Sequence, residues 1–249
     1  MLLKNRVALV TGASRGIGAA IAETLAGEGA RVGVNCVANE AAAKAVVARI
    51  EAKGGKAMAV KADASNEDQV RDMVRATEAE LGPIDTLVIN AGFRFKIGPF
   101  LDFSWDEFEA KVGGEMRAAF FPTQAVLPGM VERKSGCIIA ISSGLSRYPG
   151  DGFVAHTTAK SALDGFAKSL AHEFGPHGIR VNVVAPGLTI TDATSWMPEE
   201  RMQAMAARTP LRRVGMPDDI AGAVLMLASD AGKFVTGAYL PVSGGVQML

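Results

Sequence analysis

The sequence predicts a doubly wound α/β domain on three observations. Short β-rich apolar runs alternate with helical stretches, a glycine-rich turn follows the first strand, and no linker divides the chain. The strand candidates are residues 7–10, 31–35, 57–61, 86–89, 137–141, 181–185 and 238–242. Helical patterns such as 40–53 and 68–81 fall between them, and strands separated by helices imply parallel βαβ units. A chain of 249 residues is within the range of one undivided α/β domain, and with 49% hydrophobic residues it can build a large core. A single domain over residues 1–249 is therefore expected.

Charge and cysteine content narrow the function. The formal net charge is zero, so there is no general attraction to nucleic acid or to an anionic membrane. Cys36 and Cys137 form neither a disulfide framework nor a metal-ligand pattern. The chain runs from Met1 almost directly into the first strand, without a signal-peptide core or an apolar run that spans a bilayer. The expectation is a cytoplasmic protein with a small-molecule substrate, no metal, no nucleic-acid partner and no membrane association.

The most informative segment is Thr11-Gly12-Ala13-Ser14-Arg15-Gly16-Ile17-Gly18. It follows a strand and opens an Ala-rich helix, the context that separates a dinucleotide-binding turn from an ordinary glycine turn. Gly12, Gly16 and Gly18 allow a tight turn and close approach to a pyrophosphate. The helix amino terminus offers unpaired N–H groups and a positive dipole end. This is the signature of a Rossmann domain. The second strand ends in Asn35-Cys36-Val37-Ala38, without the acid that would hold a ribose 2′-hydroxyl. Arg15 can pair with a 2′-phosphate, so NADP(H) is expected over NAD(H), the alternative for Arg15 being a solvated loop cation.

Taken with Asp63, Asn90-Ala91-Gly92, Ser143, Lys160, Pro186-Gly187 and Ser243-Gly244-Gly245, this turn makes the chain resemble the short-chain dehydrogenases/reductases, most closely the 3-oxoacyl-acyl-carrier-protein reductases. The likeness covers essentially the whole chain. It implies a seven-stranded parallel sheet flanked by helices and a homotetramer. It also implies that Asp63 contacts the adenine edge and that Asn90, Ala91 and Gly92 hold the fourth strand against the cofactor. Thr189 and Thr191, after Pro186 and Gly187, would meet the nicotinamide carboxamide and the pyrophosphate side.

The same resemblance implies an Asn, a Ser, a Tyr and a Lys as catalytic machinery, and here the chain departs from it. With Lys160 as anchor, the Ser position is Ser143, the Tyr position is His156 and the Asn position is Glu115; Ile89 also replaces an Asn that usually precedes Asn90. Imidazole is a competent acid near neutral pH. Lys160 favours its neutral form, and a carboxylate at Glu115 is expected to draw it back toward imidazolium. Trp105 lies at an unusual distance upstream of Glu115. Tyr148, twelve residues before Lys160, reads as a loop residue at the cleft edge rather than a substitute acid, and Phe153 as core or cleft wall.

Two further segments stand out. Residues 188–213 hold Trp196, Met197, Met202 and Met205 without a strand pattern, which suits a mobile substrate lid. Residues 157–174 are apolar over more than one core-facing stripe, as a subunit interface requires. The implied function is an NADP(H)-dependent oxidoreductase that interconverts a ketone and an alcohol, a 3-oxoacyl thioester being one candidate substrate. Ser143 would be hydrogen-bond donor, His156 acid/base and Lys160 the ribose ligand. The alternative is a catalytically impaired cofactor-binding subunit that partners an active paralogue.

Overall fold

Seven strands pair in the order β3-β2-β1-β4-β5-β6-β7, every neighbouring pair parallel. The computed structural model describes residues 1–248. The strands are β1 Val7–Val10, β2 Arg31–Cys36, β3 Lys56–Lys61, β4 Thr86–Ile89, β5 Gly136–Ile141, β6 Ile179–Pro186 and β7 Tyr239–Val242. Seven α-helices connect or flank them: α1 Gly16–Gly27, α2 Glu40–Ala52, α3 Glu67–Leu81, α4 Trp105–Arg133, α5 Val154–Phe174, α6 Glu199–Arg208 and α7 Pro217–Ala228.

Strand alternation divides the core into two layers. Ala8 and Val10 face one layer with Ile21 and Leu25 of α1, Val46 of α2 and Val224 of α7. Val7 and Leu9 face the other, with Met73 of α3, Val126 and Met130 of α4, and Leu163 of α5. Because both faces are covered, the central strands read as continuous apolar runs. Cys36 and Cys137 are both buried and free.

Boundaries shift slightly from the sequence expectation. The seventh strand begins at Tyr239 rather than at residue 238, because the Ala238 N–H donates to Asn182 Oδ1 at 3.0 Å. The chain order reverses direction across the sheet between β1 and β4, and ligands of doubly wound sheets bind in the crevice beyond the strand ends at such a point.

Helix α4, 29 residues long, positions part of the site. Ser104 caps it: its Oγ accepts the Glu107 N–H at 3.2 Å, while Glu107 Oε2 accepts the Ser104 N–H at 2.9 Å. Trp105 is its first residue and is exposed. The helical repeat then puts Lys111 and Glu115, four apart, on one face directed toward α5.

Candidate active site

The glycine turn forms a cradle that only glycine can line. Gly12 has φ of +62°, and a Cβ there would lie 2.9 Å from Ala91 Cα. A Cβ on Gly18 would overlap Asn90 Nδ2 and the Gly12 carbonyl. Asn90 is a strut rather than a free ligand: its Nδ2 donates to Thr11 O at 2.9 Å and to Gly12 O at 3.0 Å. Thr11 Oγ1 in turn accepts the N–H groups of Asn90 and Ala91. Arg15 sits at the N-cap of α1 without a side-chain cap, so the first-turn amides of Gly16, Ile17 and Gly18 remain open toward an anion. Thr191 packs its methyl about Gly16, bringing the segment beyond Gly187 against the turn. These residues fit a dinucleotide pyrophosphate.

The end of β2 is organised by Asn35, a residue noted in the sequence only as a missing acid. Its Oδ1 accepts the Gly12 N–H at 3.1 Å, and its Nδ2 donates to Ala62 O at 2.9 Å and Val60 O at 3.3 Å. Its carbonyl also accepts the Ala13 N–H at 2.7 Å. One amide thus joins β2, β3 and the glycine turn. Cys36 is buried and Val37 is 61% exposed. The nearest acid, Glu40, is paired with Lys44 at 2.9 Å. Exposed Lys61, opposite Cys36 in the β2–β3 register, and exposed Arg15 leave this corner cationic. Asp63 directs its carboxylate to Ser65, and its N–H donates to Gln69 Oε1 at 2.9 Å.

Three charged side chains meet beneath the catalytic positions. Glu115 is ion-paired through Oε1 to Lys160 and through Oε2 to Lys111. Glu115 and Lys111 are each only 2% exposed, and Lys160 is buried as well. Lys160 Nζ also donates to Ile141 O at 2.8 Å, and Lys111 Nζ to Phe93 O at 3.1 Å. Burial alone would raise the Glu115 pKa, but Lys160 and Lys111 together outweigh it and hold the carboxyl at about 2. Lys111 was not singled out from sequence. The signal was its i,i+4 spacing from Glu115, usable only once the start of α4 is known.

His156 lies on α5 beside this cluster. Its ring stacks on Phe95, with centroids 4.5 Å apart and planes 17° from parallel, and meets the edge of Phe153 at 6.4 Å. Nδ1 is enclosed and has no protein partner. Burial first, then Lys160 and Lys111, lowers the imidazole pKa from 6.5 to about 3, against a smaller opposing pull from Glu115. Glu115 does draw the ring toward imidazolium, as the sequence reading expects, but burial and the two lysines outweigh it. The carboxylate is ion-paired to two ammonium groups, and the net effect of this surrounding favours the neutral ring.

Ser143 lies two residues beyond β5, in extended backbone. Its Oγ accepts the Leu145 N–H at 3.2 Å, and its carbonyl accepts the Tyr239 hydroxyl at 3.2 Å. The Tyr148 hydroxyl donates to Met248 O at 2.8 Å, so Tyr148 fastens the carboxyl-terminal tail. Gln247 of that tail packs on Gly144, where a Cβ would overlap its carboxamide.

The segment 188–213 is bonded to the body of the domain at its base and exposed over most of α6. Gly215 N–H donates to Leu188 O and Ile190 N–H to Gly215 O, both at 2.9 Å, and Thr189 is buried, with its Oγ1 donating to Gly187 O. Farther out, α6 has no buried residue and Trp196 is 57% exposed.

Comparison with known proteins agrees with this architecture. The family model described as enoyl-(acyl carrier protein) reductase matches residues 12–247. The 3-oxoacyl-acyl-carrier-protein reductase of Staphylococcus epidermidis is 36% identical over 244 residues, covering 98% of this chain and 100% of the relative. Among solved structures, a blue fluorescent protein from a metagenomic library, in complex with NADPH, is 40% identical with a TM-score of 0.91 and full coverage of both chains. A 7α-hydroxysteroid dehydrogenase in complex with NADH and 7-oxoglycochenodeoxycholic acid is 36% identical with a TM-score of 0.93, covering 99% of this chain and 96% of that one. The glycine cradle, the strand order and these matches over nearly the full length have one meaning: the chain belongs to the short-chain dehydrogenase/reductase family of oxidoreductases.

Proposed function

We propose that the chain is an NADP(H)-dependent oxidoreductase that interconverts a ketone and an alcohol, with Ser143, His156 and Lys160 as its working groups and a 3-oxoacyl thioester as the first substrate class to test. The observation that carries this is the enclosed His156 ring beside the Lys160–Glu115–Lys111 cluster. A neutral imidazole there would offer an N–H donor next to buried positive charge. The relatives' names support the reading: one is a 3-oxoacyl-acyl-carrier-protein reductase, and one solved neighbour holds NADPH. The cationic corner formed by Arg15 and Lys61 suits a 2′-phosphate.

When bound, the nicotinamide supplies the hydride in reduction and accepts it in oxidation. Ser143 Oγ donates a hydrogen bond to the carbonyl oxygen. His156 donates its N–H to the same oxygen, and the proton moves to it as the hydroxyl forms. A neutral imidazole whose pKa has been lowered can polarise a carbonyl in this way. The ring then regains a proton from water, so each reduction consumes one hydride and one proton. An ammonium has three donors. Ile141 O and Glu115 engage two of those on Lys160, and the third would hold the nicotinamide ribose. Residues 188–213 close over the substrate, and the apolar surface of α5 joins subunits in a cytoplasmic homotetramer.

NADPH oxidation measured against a panel of 3-oxoacyl thioesters and small ketones tests this function. Turnover of at least one panel member is expected. NADPH binding without turnover of any would overturn it. Light scattering at micromolar concentration tests the assembly, where a monomeric mass excludes the tetramer.

A further inference from the structure

Lys111 has no counterpart among the catalytic positions implied by family resemblance, yet it is among the largest fully buried side chains of the molecule. Burying an ammonium is costly unless it is paired and hydrogen-bonded. Lys111 is both: Nζ bonds Glu115 Oε2 and Phe93 O, and it lies 5.0 Å from the Phe95 ring centroid. Phe95 is the ring stacked on His156. Lys111 therefore touches both the partner of Lys160 and the aromatic cover of the proton donor.

The charge balance gives this placement a purpose. The charged groups acting on His156 are Lys160 on its own helix and Lys111 and Glu115 on α4, among the described residues; Asp164, one turn beyond Lys160 on α5, acts on Lys160. Without Lys111, Glu115 would face Lys160 alone, and the two charges would cancel beside the ring. With Lys111 present the cluster carries one net positive charge. A proton leaving a neutral ring leaves a negative charge behind, and a fixed positive charge in a water-poor site stabilises it strongly.

We propose that Lys111 is a positioning residue for the proton-transfer step: it neutralises Glu115, so that the charge of Lys160 acts undiminished on His156. The inference rests on the ketone–alcohol reading above for its catalytic consequence, but its electrostatic part stands without turnover. In the proton step, the N–H bond of His156 breaks, the O–H bond of the alcohol forms, and the ring is reprotonated by water. No group other than the ketone is reduced.

The test compares Lys111→Met, Lys111→Arg and the double variant Lys111→Met/Glu115→Gln in the full-length protein. Each is followed by the NMR titration of His156 and by kcat, KM and NADPH affinity. For Lys111→Met we expect a His156 titration midpoint well above the wild-type one and a kcat lower by about 10-fold or more, with KM and NADPH affinity little changed. Lys111→Arg should behave like wild type. The double variant, which removes the opposing charge too, should return His156 to its low midpoint and raise kcat at least about 10-fold above the single variant, as expected when two changes act on one buried pair. A wild-type titration and kcat in Lys111→Met would overturn the proposal. A loss that the double variant does not repair would overturn it too, since a packing role is not rescued by discharging Glu115. If Lys111→Met fails to fold, the double variant decides alone: a low midpoint supports the proposal, and a raised one overturns it. If no substrate is turned over, the functional reading fails while the titrations still judge the role of Lys111.

Discussion

The His156 ring lies nearly flat on the Phe95 ring, 4.5 Å between centroids, so that a loop residue beyond β4 covers one face of the imidazole. That contact gives the loop a part in setting the protonation of the ring, because burial is the largest cause of the lowered His156 pKa.

Phe95→Ala should therefore admit water to the ring and raise its titration midpoint by about one unit or more from the wild-type value. Proton NMR of the His156 ring follows this directly. An unchanged midpoint would mean that the two lysines alone keep the ring neutral.

Acid stability follows from the same residues. Between 6.5 and about 3 the unfolded chain binds a proton on His156 that the folded chain refuses, so stability falls as pH drops through that window. Glu115 adds to the loss with the same sign. Its folded pKa is about 2 against 4.5, so its contribution is intact above 4.5 and fades as pH falls toward 2. His156→Asn removes the first contribution, and its stability measured by urea unfolding should decline less than wild type between pH 6.5 and 4.5. Parallel declines for the two proteins would contradict the assignment.

Cofactor selection rests on the corner where β2 and β3 end. Arg15→Ala with Lys61→Ala should weaken NADPH binding by about 10-fold or more while leaving NADH affinity nearly unchanged, since only NADPH carries the 2′-phosphate. Isothermal titration calorimetry resolves the two. An equal loss for both cofactors would place the cations elsewhere than at the 2′-phosphate.

Much of this molecule was legible in its residues, and the gaps have physical causes. The first and fourth strands have the bounds expected from sequence, because four-residue apolar runs bounded by polar turns leave little choice. The glycine turn was readable because local backbone demands fix it, and the positions of Ser143, His156 and Lys160 because the family resemblance implies their spacing. Lys111 was not, since a Lys four residues from a Glu on a helix is ordinarily a solvated pair. The packing of α4 on α5 and the loop at Phe93 and Phe95 enclose it. Phe95 lies in a loop without periodicity, so nothing in the sequence placed its ring on His156. Asn35 was visible as the absence of an acid, but its side-chain bonds to Gly12, Val60 and Ala62 depend on where β3 and the glycine turn end.

The most direct measurement is NADPH-dependent ketone reduction by wild type and His156→Phe from pH 5 to 8, with NADPH affinity measured alongside. A neutral donor has no titration in that range, so wild-type kcat should show no loss through the ordinary imidazole pKa near 6.5. His156→Phe should be slower by about 10²–10⁴-fold at every pH, the usual contribution of a positioned acid, with NADPH affinity preserved. Wild-type turnover in His156→Phe would contradict the account, because the proton would then come from another group.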